Sequence, residues 1–599
     1  MIVKGLFLAA LSAMSALVQG YPGQERSLSE RQSTDRLVFA HFMIGITSDR
    51  SSSADYDADM QRAKSYGIDA FALNIGVDPY TDQQLGFAYD SAARNGMKVF
   101  ISFDFNWWNT GQATAIGQKI AQYAGLPGQL KVDGKVFVSS FAGDGVNIGA
   151  MRSAAGVELF FAPNFHPSYG TDMSNVDGLL NWMGWPSNGN NKAPTSGATV
   201  SVEQGDNDYI SALAGKAYIA PASPWFSTHF GPEVSYSKNW VFPSDLLWYN
   251  RWQELLKLGP RFIEIVTWND YGESHYIGPL SSPHTDDGAS KWVNDMPHDG
   301  WLDMAKPFIA AFKAGATTVD NYITNDELVY WYRPTLKNVN CDATDTCMNP
   351  SASNSSGNYF LGRPNGYETM QDSVFVVSLL TAPAQVTVTS GGNSQTFQAS
   401  AGANAFQVPM GVGSQTFSVT RNGATVFQGT SLKQIINGCV CGLYNFNAYV
   451  GTLPAGFSDP LGPAGLASLV QGLHVATCAA TPSLGTAPPV VTAPPVPATT
   501  TTTIITTKTT TTSTSTSTSG TCIAGTGPGN YVGLCSFCCN FGYCPPGPCT
   551  CTAYGAPVPT PPVTGTVGLP LYNEDNSYLG LCSFACNHGY CPNTACRVA

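Results

Sequence analysis

The sequence predicts an α/β chain: a (β/α)8 barrel of the TIM type, then a β-sandwich, a Pro/Thr/Ser-rich linker and small disulfide-rich modules at the C-terminus. Three observations carry this prediction. From Leu37 to about Glu273, eight short apolar runs alternate with amphipathic helical patterns. From about Asp326 to Leu432 the hydrophobic period changes to two. Beyond an unbroken Thr/Ser tract, eleven of the 16 cysteines crowd the last 78 residues.

The chain starts with Lys4 and an apolar core from Gly5 to Val18 that ends in Val18-Gln19-Gly20. That is the pattern of a secretory leader over residues 1–20, too short for a membrane span. Residues 21–35 are polar and suit a short pro-segment. No later segment is long and apolar enough to cross a bilayer, so a soluble, secreted, extracellular or wall-associated monomer is expected. The cysteines agree, since disulfides persist where no thiol pool reduces them.

The expected barrel, residues 36–325, has strands at Leu37 to Ile44, Ile68 to Ile75, Met97 to Phe103, Lys135 to Phe141, Glu158 to Pro163, Gly178 to Met183, Ala217 to Ala220 and Arg261 to Val266. Helical patterns cover Tyr56 to Tyr66, Asp82 to Asn95, Gln112 to Tyr123 and Pro243 to Leu258. Eight units in this length match a (β/α)8 barrel, whose usual size is about 250 residues. An open doubly wound sheet is the rival, weakened by the lack of a Gly-rich phosphate loop after any strand.

Barrel chemistry sits where strands end. The strand ends here carry His41, Asn74, Asp104 with Trp107 and Trp108, Asp144, His166, Trp182 with Trp185, Trp225, and finally Trp268, Asp270, Tyr271 and Glu273. Sugar rings expose C–H faces that stack on flat aromatic surfaces, so His41, Asp104, Trp107, Trp108, His166, Trp182, Trp185, Trp225, Trp268 and Tyr271 are candidate substrate contacts. Core packing is the plainer reading of any single Trp, and a turn is the plainer reading of Asp144 between Gly143 and Gly145.

Asp270 and Glu273 follow the last strand among Trp, Asn and Tyr. Two carboxyl groups beside a sugar surface are what glycoside hydrolysis requires. Asp270 is read as base and Glu273 as acid, with the reverse open and Asp104 as the next carboxylate. A net charge of -12 argues against nucleic acid and anionic membranes as partners. Neither H-E-x-x-H nor a G-x-S-x-G elbow is present, so neither a catalytic metal nor a serine nucleophile is expected.

Residues 326–478 form the expected sandwich, with Asn422-Gly423 as a hairpin signal. Cys341 and Cys347 are expected to pair locally, and Asn354-Ser355-Ser356 is a glycosylation sequon. Residues 479–520 read as an O-glycosylated stalk. In 521–599, Cys535, Cys539, Cys544 and Cys549 repeat with the spacing of Cys582, Cys586, Cys591 and Cys596. Units of about 25 residues need staples, so these eight are disulfide candidates. Zinc, with His588, is the competing reading.

The motifs HFMIGITSDRSSSADYDADMQRAKSYGIDAFALNIG, FDFNWW, FFAPNFHP, NWMGWP and VTWNDYGES together resemble the fungal α-1,3-glucanases (mutanases) of glycoside hydrolase family 71, over about residues 36 to 478. The repeated GLCSFxCNxGYCP units resemble α-1,3-glucan-binding modules of carbohydrate-binding family 24. The first resemblance implies endo-hydrolysis of α-1,3-glucosidic bonds with inversion and without metal or organic cofactor, and it places the acidic pair at Asp270 and Glu273. The expected partner is insoluble α-1,3-glucan. Inversion asks for carboxyl groups roughly 6.5–9.5 Å apart. The alternatives are a wall protein built on an inactive barrel, and a tail of protein-binding knots.

Overall fold

The computed structural model describes residues 36–188, 200–454 and 521–598, apart from 232–233, 235–236, 281–288, 294–295, 350–351, 357, 528–530, 546–548, 557, 572–577 and 593–594. The expected leader, pro-segment and stalk, and Cys478, lie outside the described residues. The chain divides into two units, 1–495 and 496–599.

In the first unit the apolar runs become eight parallel strands: β1 (Leu37–Met43), β2 (Ala70–Ile75), β3 (Lys98–Asp104), β4 (Lys135–Phe141), β5 (Leu159–Phe161), β6 (Gly178–Leu180), β7 (Ala217–Ala222) and β8 (Phe262–Ile265). Their order is β5-β4-β3-β2-β1-β8-β7-β6, so the first and last strands of the series lie side by side. The sheet curls until its edges approach, where Asp177 N and Leu180 N donate to Phe161 O and Pro163 O, each at 2.9 Å.

The curl follows from side chains alternating along each strand. In β1, Val38, Ala40 and Phe42 join the core beneath the helices, while Phe39 joins a separate cluster on the other face. There Phe39, Phe100, Phe137, Phe160 and Phe262 interlock, with Phe39 5.1 Å from Phe100 and 5.3 Å from Phe137. This aromatic plug is the floor on which the site stands.

Helices α1 (Asp57–Ser65), α2 (Thr81–Asn95), α3 (Ala113–Tyr123), α4 (Ile148–Ala155), α5 (Val202–Leu213), α6 (Leu247–Leu258) and α7 (Asp299–Lys313) accompany the strands. Local chemistry sets their ends. Asn147 and Ser201 cap α4 and α5 by accepting from Ala150 N and Gln204 N, and Gly96, Gly156 and Gly259 close α2, α4 and α6 in the left-handed region. Gly117 lets α3 approach α4, since a Cβ there would meet Met151 O at 2.2 Å.

The period-two segment forms β9 (Glu327–Tyr332), β10 (Ser373–Leu380), β11 (Ala384–Ser390), β12 (Asn393–Ala399), β13 (Gly402–Pro409), β14 (Gln415–Arg421), β15 (Ala424–Thr430) and β16 (Tyr449–Leu453). They make two sheets, β13-β10-β9-β16 and β12-β11-β14-β15. Asn422 and Gly423, both at positive φ, turn β14 into β15. Strand β9 is buried on both faces: Leu328, Tyr330 and Tyr332 enter the core between the sheets, while Val329 and Trp331 join the core of the parallel-sheet body. Indole N–H groups also tie the two parts together, from Trp225 to Phe446 O and from Trp331 to Asp245 O.

The local pairing of Cys341 with Cys347 does not form. Cys341 is bonded to Cys439, 98 residues away, and Cys441 also forms a disulfide. Cys347 is a free, buried thiol, pushed up to about 12 by burial. Its backbone instead packs so closely on Gly231 that a Cβ there would meet Cys347 O at 2.1 Å. Asn354 is exposed, with Oδ1 accepting from Phe360 N and Leu361 N and Nδ2 donating to Leu361 O.

In the second unit, each repeat contributes one short helix, α8 (Val532–Asn540) and α9 (Leu579–Asn587). The bonds Cys535–Cys549 and Cys539–Cys544 recur as Cys582–Cys596 and Cys586–Cys591, and Cys522–Cys551 is added in the first repeat. The repeats are not beads in series. Tyr531 stacks on Tyr578 at 3.5 Å, Phe537 on Tyr590 at 4.7 Å and Tyr543 on Phe584 at 4.8 Å. Leu534, Cys538, Leu581 and Ala585 share one core.

Candidate active site

Above the Phe plug, β1 and β8 place His41 and Glu264 together, Nδ1 to Oε1 at 2.8 Å and both fully buried. The chain then leaves β8 and is fastened to β1: Trp268 N donates to His41 O, and Met43 N donates to Asn269 Oδ1. The short turn Tyr271–Glu273 follows. It delivers Asp270 and Glu273 to a cleft of roughly 600 Å³, which Asn74, Asp104, Asn106, Trp107, Trp182, Lys238 and Trp240 also line.

The two carboxyl groups have unequal surroundings. Glu273 Oε2 accepts from His275 Nε2 at 2.9 Å, and Glu273 Oε1 pairs with Lys238 Nζ at 3.2 Å. Asp270 is held more loosely, by a longer ion pair with His275. Its backbone N donates to Thr267 Oγ1, and its carboxylate lies 3.9 Å from His275 Nε2. Burial, and then the charge of Glu273, push the Asp270 carboxyl above its ordinary range. Burial opposes ionisation of Glu273 too, but Lys238 and His275 outweigh it and hold that carboxyl well below the usual range. Asp104, across the cleft, is pushed up by burial against the hydrogen bonds it accepts from Asn106 and Asn74.

A family description, glycosyl hydrolase family 71, matches residues 34–461, which include the whole of this cleft. The chain belongs to glycosyl hydrolase family 71. It is 43% identical over 463 residues to a mutanase of Penicillium rubens, covering 76% of this chain and 97% of that one. It is 37% identical to the glucan endo-1,3-alpha-glucosidase agn1 of Schizosaccharomyces pombe, covering 70% and 95%. It is 29% identical to the ascus wall endo-1,3-alpha-glucanase of the same yeast, covering 69% and 96%.

In this family 71 chain, Asp270, Glu273, Asp104, Trp107 and Trp182 meet at one cleft, with Trp107 67% exposed. His166, Trp182 and Trp185 line a second cleft. The remaining aromatic candidates reach neither. Trp108 donates to Ile75 O and Gly76 O, Trp225 to Phe446 O, Trp268 to Asp59 Oδ1 and Tyr271 to Pro279 O, and all four are buried. An indole or phenol can bury its apolar body once its polar tip finds an acceptor, which is what each does. His41 lies beneath the cleft, edge-on to Trp182.

The pair also gathers around one imidazole. One oxygen each of Asp270 and Glu273 lies, with a nitrogen of His275, within a 4.8 Å group. Those three side chains are of metal-ligating type, but Lys238 already brings a positive charge to Glu273. Lys238 and Trp240 have no counterpart among the sequence candidates. They sit on Lys238–Val241, which pairs antiparallel with Ser227–Phe230. No strand-end rule marks that hairpin.

Proposed function

We propose that the protein is a secreted, endo-acting glycoside hydrolase that cleaves α-1,3-glucosidic bonds of insoluble α-1,3-glucan. The observation that carries this reading is the unequal setting of Asp270 and Glu273 in one cleft, the first carboxyl pushed up by burial and its neighbour held low by Lys238 and His275. That is the division acid–base hydrolysis needs. Its roles reverse the sequence expectation. Asp270 gives its proton to the glycosidic oxygen as the bond to C1 breaks. Glu273 takes a proton from the water whose oxygen bonds to C1. Lys238 and His275 keep Glu273 ionised, while Trp107 and Trp182 offer faces to sugar rings. The family membership and the relatives' printed activities support α-1,3-glucan as the substrate.

We further infer a closed (β/α)8 barrel over 36–325, a supporting sandwich over 326–478, a leader over 1–20 and a glycosylated stalk over 479–520. The tail, 521–599, then serves as the α-glucan binder; it holds only Glu574, Asp575 and Arg597 as charged residues, which suits a neutral polysaccharide. Among the described residues no helix is long and apolar enough to cross a membrane.

Reducing-sugar release from α-1,3-glucan, set against α-1,4- and β-1,3-glucans, tests the assignment; equal release from all three overturns it. Proton NMR of the first product tests the stereochemistry. A β-anomer means inversion, the outcome the water attack assigned to Glu273 requires. An α-anomer means retention, for which carboxyl groups are only about 5–5.5 Å apart. Lys238→Met removes the charge that lowers the Glu273 pKa. That pKa then rises, and the acid limb of the kcat/KM profile is expected to move to higher pH. An unmoved limb would separate Lys238 from the chemistry.

A further inference from the structure

The loop after β4 and the turn after β5 hold an arrangement that the acid pair does not use. Asp144 accepts hydrogen bonds from the His166 backbone N at 2.8 Å, from His166 Nδ1 at 2.7 Å and from Thr171 Oγ1 at 2.7 Å. Burial opposes ionisation of Asp144, but these bonds outweigh it and hold the carboxyl below its ordinary range. The His166 ring is thereby fixed, and Tyr169 lies on it with ring centroids 4.4 Å apart and planes 22° from parallel. Yet Tyr169 is 68% exposed. One face of a rigid aromatic ring is thus supported from below while the side chain stays open to water.

Both rings line a second cleft of roughly 590 Å³, and Asp208 and Ser168 on its wall supply polar groups. Phe141 and Trp182 line this cleft and the one containing Asp270 alike, so the two adjoin across a shared aromatic ridge. Each has the size of a small-molecule site. A flat ring held in advance loses little conformational freedom when a sugar stacks on it.

We propose that Tyr169, supported by His166 and Asp144, is a stacking platform for neutral hexose rings of the glucan chain at a distance from the bond being cleaved. This rests on the proposed function, and it makes the second cleft a determinant of preferred chain length. A ring of the polymer stacks its C–H face on Tyr169, and its hydroxyls meet His166 Nε2 and the Asp208 carboxylate.

The experiment compares the full chain with its Tyr169→Ala and Tyr169→Trp variants on α-1,3-gluco-oligosaccharides of increasing length, reading KM by turnover and Kd in a Glu273→Gln background. In the unaltered chain, affinity should rise with length. In Tyr169→Ala that rise should shrink by about tenfold, the scale of one aromatic contact, and Tyr169→Trp should restore it. The same length dependence in Tyr169→Ala overturns the platform while leaving the acid pair intact. If the unaltered chain neither binds nor cleaves α-1,3-glucan, the function reading fails instead. Binding of α-1,4- and β-linked gluco-oligosaccharides then decides the platform: a loss in Tyr169→Ala supports it, and no difference from the unaltered chain overturns it.

Discussion

Replacing Asp270 by Asn, or Glu273 by Gln, is expected to lower turnover on α-1,3-glucan by at least about 10²-fold, the usual scale of a general acid or base. The two variants should differ in stability, which separates their roles. Asp270 is pushed up by burial and its ion pair with His275 is long, so Asn strips no short ion pair, and thermal unfolding should move little. Glu273 is favoured ionised against Lys238, 3.2 Å away and mostly buried with it. Gln leaves that ammonium without its counter-charge, so Glu273→Gln should unfold at a lower temperature. Near-normal turnover in either variant would remove that residue from the mechanism. Equal loss of stability in both would contradict the unequal pairing of the two carboxyl groups.

Deleting residues 557–599, the second repeat, is expected to cost all retention on insoluble α-1,3-glucan that the tail provides, not half of it. Modules acting independently would give a graded loss, each adding its own effective concentration near the solid. Here the repeats share a core, and three aromatic pairs cross between them. Such pairs contribute roughly 0.5–1.5 kcal/mol each beyond the area they bury, a large share of what so small a unit has to spare. The surviving repeat should unfold, seen as rapid proteolysis and scrambled disulfides, and pull-down should match a chain cut after Cys478. Half retention with an intact first repeat would mean that the repeats stand alone after all.

The alternation of apolar runs with helical patterns marked all eight parallel strands, because buried parallel strands write themselves as continuous apolar segments. That Asp270 and Glu273 share a cleft was legible for a similar reason: they are close in sequence and follow a strand. Their unequal surroundings were not, since these depend on Lys238, brought in by a hairpin well upstream in the chain. A place at a strand end does not by itself make an aromatic side chain accessible. Trp108, Trp225, Trp268 and Tyr271 satisfy their polar tips on the protein itself, and the pattern that put them at a rim carries no information about side-chain direction. Spacing alone pairs Cys341 with Cys347, but the bond to Cys439 depends on the fold of the whole sandwich between them.

Gly533 and Gly580 occupy equivalent places in the two repeats. A Cβ on the first would meet the hydroxyl of Tyr590 at 2.8 Å, and one on the second would meet that of Tyr543 at 2.5 Å. Each repeat thus carries a notch cut for the other's tyrosine. Mutations in the duplicated halves are therefore not free to drift apart: a side chain gained at one notch must be answered by a smaller residue in the opposite half. A molecule that lost one half would carry a vacant notch and an unhoused tyrosine, so neither half can be discarded without undoing the other.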